Sequence, residues 1–144
     1  MADVVSDGPF SSLPDVDRSI MVVSGVGMIL VVGDDSPVTV TPATGVFTFD
    51  GAVPTECTLL DGPVRDLNLM LRRGTSTGSL EVHSMEPNES MDVPGDVVVM
   101  VVLDGEVRND GEHLRAFDAF VADGSPIGPA VALTPSRVAF ARCR

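Results

Sequence analysis

A chain of 144 residues, 44% hydrophobic and 21% charged, has the composition of a folded globular protein, and a chain of this size buries roughly 68–70% of the surface its unfolded form exposes. Twenty-one acidic residues against nine basic ones leave a net charge of −12, a field that repels nucleic acid and anionic membranes, so neither is expected as a partner. All nine cations are Arg, which excludes Schiff-base chemistry and a Walker-type lysine, and Cys57 and Cys143 form no C-x-x-C pair, which excludes a zinc ribbon or a dithiol redox motif.

The opening residues, Met1 to Asp7, carry no basic stretch of the signal-peptide kind. The longest apolar run, residues 20–32, is broken by Ser24, Gly25 and Gly27 and falls short of the ~20 residues that span a bilayer. A cytoplasmic location is the expectation. A polar cluster, Pro14-Asp15-Val16-Asp17-Arg18, precedes an apolar strand at 20–23. Residues 46–49 (Val-Phe-Thr-Phe) alternate as a half-buried strand does. Residues 67–73 could form one helical turn, which Gly74 would stop, and 75–78 and 85–94 read as loops. The β-branched run within 96–103 suits a strand buried on both faces, and 106–108, 114–121 and 138–143 read as further strands.

Asp-Gly pairs punctuate these runs at Asp7, Asp50, Asp61, Asp104, Asp110 and Asp123. Both residues tolerate positive φ, so the pairs favour tight hairpins. Short strands joined by such turns predict an all-β sandwich or barrel in a single domain covering 1–144. The two halves are weakly alike, each a set of strands ending in a Gly-rich turn, without a sequence repeat.

The usual chemical signatures are missing. His83 and His113 are isolated, with no H-x-H or H-x-x-x-H pair, so no metal or other cofactor is expected. No G-x-S-x-G elbow is present, and Ser11 and Ser12 read as turn residues. The densest polar segment is 61–74. In it Asp66, Asn68 and Met70 alternate with Leu67, Leu69 and Leu71. As a strand it would pack its leucine face and turn an acid, an amide and a thioether the other way. With Arg65, Arg72 and Arg73 close by, two readings stand: a pocket for a small carboxylate, since a guanidinium fork matches that group, or an ion-paired surface strand.

The stretches Gly8-Pro9-Phe10-Ser11, Asp17-Arg18, Gly25-Val26-Gly27, Phe49-Asp50-Gly51 and, above all, Cys57 to Gly74 (C-x-L-x-D-G-P-V-x-D-L-N-x-M-x-R-R-G) resemble the HutD/Ves family of proteins associated with histidine utilisation. The resemblance implies a cupin-type (RmlC-like) double-stranded β-helix barrel without the usual cupin metal ligands. It implies binding of a small carboxylate from histidine degradation and modulation of that pathway, more than catalysis. Carried over by motif, Asp17, Arg18, Asp66, Asn68 and Arg73 are the candidate ligand-binding residues. Arg18 or Arg73 would hold a carboxylate, and Asp66 and Asn68 would fix a polar or amino group or brace those arginines.

The family's usual opening, a W-x-N-G-G-G-like segment with a W-R-x-S strand, is not matched; the pattern is joined just before Gly8-Pro9-Phe10. A barrel short of a strand would expose an edge able to pair with another chain, so a homodimer is expected. Two other functions fit the same residues: a metal-independent enzyme acting on a similar acid, with Asp66 as general base, and a protein-interaction module with a filled interior.

Overall fold

The computed structural model describes Met1–Arg144 and contains sixteen β-strands and no helix, hence no helix long and apolar enough to cross a membrane. The chain divides into two compact units, Met1–Thr77 and Gly78–Arg144.

Unit 1 holds β1 (Ala2–Val4), β2 (Gly8–Phe10), β3 (Val16–Ser24), β4 (Met28–Val32), β5 (Val38–Val40), β6 (Phe47–Asp50), β7 (Thr55–Leu59) and β8 (Val64–Arg72). They form two antiparallel four-stranded sheets in the orders β1-β8-β3-β6 and β2-β7-β4-β5. Unit 2 holds β9 (Gly78–Met85), β10 (Ser90–Met91), β11 (Val97–Asp104), β12 (Glu106–Asn109), β13 (Glu112–Arg115), β14 (Ala119–Val121), β15 (Ala130–Ala132) and β16 (Ser136–Cys143). Its sheets run β9-β16-β11-β14 and β10-β15-β12-β13. Adding eight to each strand number of unit 1 reproduces unit 2. Each unit is thus the same eight-stranded jelly roll, the topology of a double-stranded β-helix. The weak likeness of the two halves in sequence has its counterpart in this repeated connectivity.

Each unit has its own core. In unit 1 it is built on Ile20, Val22, Met28, Leu30, Val40, Phe49, Cys57 and Val64. In unit 2 it is built on Met85, Val97, Met100, Val102, Val107, Val138 and Phe140, with Ala130 and Ala132. The free thiol of Cys57 is buried, 3.7 Å from the sulfur of Met28.

The turns follow local chemistry. Asn109 pairs with Glu112, which leaves Asp110-Gly111 as a two-residue hairpin loop with φ of 45° and 85°. Positive φ at both loop residues is the primed turn that suits the twist of antiparallel strands. Gly25 (φ +97°) lies against β8: a Cβ there would sit 2.6 Å from the Pro63 carbonyl oxygen, so only glycine lets the chain pass so close.

Two sequence expectations need correction. Residues 67–73 form no helical turn, since 64–72 run as strand β8, where alternation and pairing with β3 outweigh helix propensity. The expected strand 114–121 is broken between β13 and β14. Asp118 accepts a hydrogen bond from the Arg115 backbone N–H at 2.8 Å, and Phe117 takes a φ of 74°, which together turn the chain. The loop at 85–94 carries the two-residue strand β10.

Candidate ligand-binding site

Strands β3 and β8 are the long central pair of unit 1. Their register sets Arg18 opposite Met70, Ile20 opposite Asn68 and Val22 opposite Asp66. Paired residues point to the same side of a sheet and side chains alternate with period two. Ile20 and Val22 belong to the core, as does Val64 on β8. Asp66, Asn68, Met70 and Arg18 are therefore turned to the inner side. Along β8 the inner face changes from apolar at Val64 to polar at Asp66 and Asn68, and ends at the exposed Met70.

These four residues line a cavity of about 520 Å³, whose wall also includes Phe10, Leu13 and the segment from Met1 to Ser6. The expected leucine packing is reversed: Leu67, Leu69 and Leu71 are half-buried on the opposite face and belong to no core cluster. The parity that places Val64 in the core requires this.

Arg18 is only 6% exposed and forms no hydrogen bond or ion pair. Its buried Nε has no partner. The guanidinium lies between two aromatic rings, its Cζ 4.9 Å from the centroid of Phe10 and 5.1 Å from that of Phe49. The ring faces attract the cation but leave its in-plane N–H donors free. Burial lowers the pKa of Arg18 and the nearby Asp66 charge raises it; an arginine stays charged through such a shift.

Asp66 is 3% exposed. Its Oδ1 and that of Asn68 are both buried without a hydrogen-bond partner. Burial pushes the Asp66 carboxyl above the usual carboxylate range, and the chain's N-terminal ammonium and Arg18 pull the other way. Arg18 and Asp66 form no ion pair, so each keeps hydrogen-bonding capacity toward the cavity. Buried polar groups in folded proteins are nearly always paired. A cluster of three unpaired ones on a cavity wall marks a place where a ligand or water completes the bonding.

Asp17 and Arg73 lie outside this wall. Asp17 is an odd-numbered neighbour of Arg18 on β3 and projects from the other face. Arg73 lies just past the end of β8, with its Nη2 2.7 Å from Asp17 Oδ1 and 2.6 Å from Asp50 Oδ1. Both side chains are about half exposed, which makes them a surface ion pair of the second kind weighed from the sequence. Of the two arginines considered for a carboxylate, Arg18 is the one on the cavity wall. Phe10 and Phe49 were not among the candidates from sequence. Their signals were present, as the Phe of the Gly-Pro-Phe turn and the inward position of an alternating strand, but their contact with Arg18 depends on the pairing of β3 with β6 and on β2 in the other sheet of the unit.

A repeated eight-stranded jelly roll with a polar pocket defines a cupin-class protein. The HutD family model matches residues 1–139, and the chain belongs to the HutD family. It is similar to HutD from Pseudomonas fluorescens SBW25 (24% identity, TM-score 0.77, covering 99% of this chain and 76% of that one). It is also similar to a conserved protein of unknown function from Pseudomonas aeruginosa PAO1 (26% identity, TM-score 0.81, covering 98% and 78%). A cupin 2 conserved barrel domain protein from Leptotrichia buccalis shares the fold at 12% identity and a TM-score of 0.57, covering 99% of this chain and 81% of that one. No curated protein matches the chain significantly.

Proposed function

We infer that this HutD-family chain binds a small carboxylate from histidine degradation in the cavity of unit 1 and modulates that pathway through it. The observation that carries the reading is Arg18, a buried guanidinium with no ion-pair or hydrogen-bond partner in a chain of net charge −12. Elsewhere arginines find carboxylates readily: Arg65 with Asp3, Arg137 with Asp104, Arg142 with Asp96 and Glu81. Arg18 is held by aromatic rings, which keep the cation in place without occupying its fork. A ligand carboxylate would take two parallel N–H bonds from that fork. A cavity of this size fits a ligand of the mass of a small dicarboxylate or an imidazole acid.

The test is a thermal titration with urocanate, formiminoglutamate and formylglutamate, on the native chain and on Arg18→Met. A ligand at 100 times its dissociation constant stabilises by about 2.7 kcal/mol, a rise in melting temperature easily measured. The rise is expected with at least one acid in the native chain and none in Arg18→Met. Absence of any rise at millimolar concentration would remove the proposal.

A metal-independent enzyme with Asp66 as general base is the second reading, supported by the upward push of burial on that carboxyl. Turnover of any of these acids that disappears in Asp66→Asn would establish it. The interaction-module reading required a filled interior, and the cavity speaks against it.

A further inference from the structure

The four sheets end in eight edge strands. Seven of these are two to four residues long and offer little template for pairing with another chain. The eighth is β9. It runs for eight residues, Gly78–Met85, and pairs with β16 at every one of them without a bulge. Alternate residues of such a strand point their N–H and C=O groups away from the partner strand. No backbone group of β9 is bonded from that side. The usual guards of an edge are missing: β9 has no Pro, no Lys and no irregularity in register. Its one acid, Glu81, is already offset, with Arg142 Nη1 3.3 Å from Oε1 and Ser79 Oγ donating to Oε1 at 2.7 Å.

The side chains of β9 are complementary to themselves. Val82 is exposed on one face. Glu81 and His83 flank it on the other, each side chain about a third exposed. Laid antiparallel to a second β9 about Val82, the strand sets Val82 against Val82, Glu81 against His83 and Leu80 against Ser84. Opposed Cβ atoms in such pairs are about 4.5–5.5 Å apart. A carboxylate then meets an imidazole, acceptor against donor, twice by symmetry, and the two valines cover each other. The neighbouring in-phase register sets Glu81 against Glu81, which like charge disfavours. We propose that β9 is a homodimer interface: two copies of the chain join their β9 edges antiparallel about Val82, and the sheet β9-β16-β11-β14 of one copy continues into that of the other. Such a two-fold contact closes on itself. The pattern matches itself when reversed about Val82, which pairing with a foreign strand would not require. The sequence led to an expected homodimer through an edge left by an unmatched opening segment; the longest free edge is instead β9. The charge of −12 on each copy is largely screened at physiological salt. The inference stands apart from the cavity of unit 1.

The experiment is sedimentation velocity on the native chain, on Val82→Lys, on Val82→Glu and on an equimolar mixture of the two variants. The native chain is expected to be a dimer at micromolar concentration. Each variant alone should raise the dissociation constant roughly tenfold or more, because like charges then face each other across the two-fold axis. The mixture should restore the dimer, because opposite charges face each other. Val82 lies at the surface, so both variants should keep the native melting temperature. A native chain that stays monomeric at millimolar concentration would overturn the proposal and leave β9 to a foreign strand. Dimers formed as readily by both variants as by the native chain would also overturn it, placing the contact elsewhere. A mixture no more dimeric than its components would overturn the register about Val82. Amide hydrogen exchange on the native chain needs no variant to fold. Residues 78–85 should exchange more slowly at high concentration than when dilute, and equal rates would overturn the proposal.

Discussion

Units 1 and 2 share strand order and pairing yet fill their interiors differently. In unit 1 the inward pairs of the two long strands are Ile20 with Asn68 and Val22 with Asp66. At the equivalent strands of unit 2 they are Met100 with Phe140 and Val102 with Val138, all four buried and in one core cluster. An amide and an acid in one unit thus stand where a phenyl ring and a branched aliphatic stand in the other. His83, on β9, packs its ring 4.7 Å from that of Phe140, with its Nε2 buried and without a hydrogen-bond partner. The jelly roll does not itself require a cavity. The cavity of unit 1 lies where two inward positions of β8 are polar, and at the equivalent positions of the repeat the side chains are apolar members of the core.

Substitutions at these positions can break or sharpen the contrast. The largest expected effect is at the plug. Phe140→Ala should destabilise the chain by about 3–5 kcal/mol, the range for truncating a buried phenylalanine, as read by urea denaturation. A loss below 1 kcal/mol would mean that unit 2 is not held by its filled interior. Next is the polar wall. Arg18→Met should weaken carboxylate binding at least 100-fold, or about 2.7 kcal/mol, with no loss of thermal stability, because burying a cation without a hydrogen-bond partner costs the folded state. A sharp fall in melting temperature would show that Arg18 is structural.

A smaller effect concerns pH. The Asp66 carboxyl is raised in the folded state by burial, so the native state holds that proton more tightly than the unfolded chain. Its contribution to stability is full below the ordinary carboxylate pKa of about 4 and is lost as pH rises through the raised folded value. Asp66→Asn should therefore gain stability over the native chain progressively above pH 4, seen in melting curves from pH 3 to 8. A constant difference across that range would refute the linkage. The smallest effect is outside the cavity: Arg73→Gln should leave ligand binding unchanged and move the melting temperature little, since its pairs with Asp17 and Asp50 are solvent-exposed.

Much of the fold was legible because strand signals are local. The Asn109-Asp110-Gly111 turn, the β-branched run now in β11 and the alternation from Asp66 to Met70 all follow from φ preferences and period two. Where local signals competed, the reading failed. Asp118 cut one expected strand in two, and Leu67 to Arg73 looked helical only because β3, their partner, lies more than forty residues away. The site was legible in part for the same reason. Asp66 and Asn68 share a parity that sequence reveals, whereas Asp17 and Arg18, neighbours in sequence, project from the two faces of one strand. The aromatic clamp on Arg18 was not legible, since Phe49 meets it through the pairing of β6 with β3 and Phe10 from a strand of the other sheet.

One side of the pocket is closed by β1, three residues long and registered so that Ala2 stands against Asp66, Asp3 against Arg65 and Val4 against Val64. So short an edge frays at far lower free energy than the barrel behind it opens. A ligand bound as proposed above would thus sit beside a short edge strand, whose local opening would let the site exchange its occupant while the long central pair β3 and β8 stays closed.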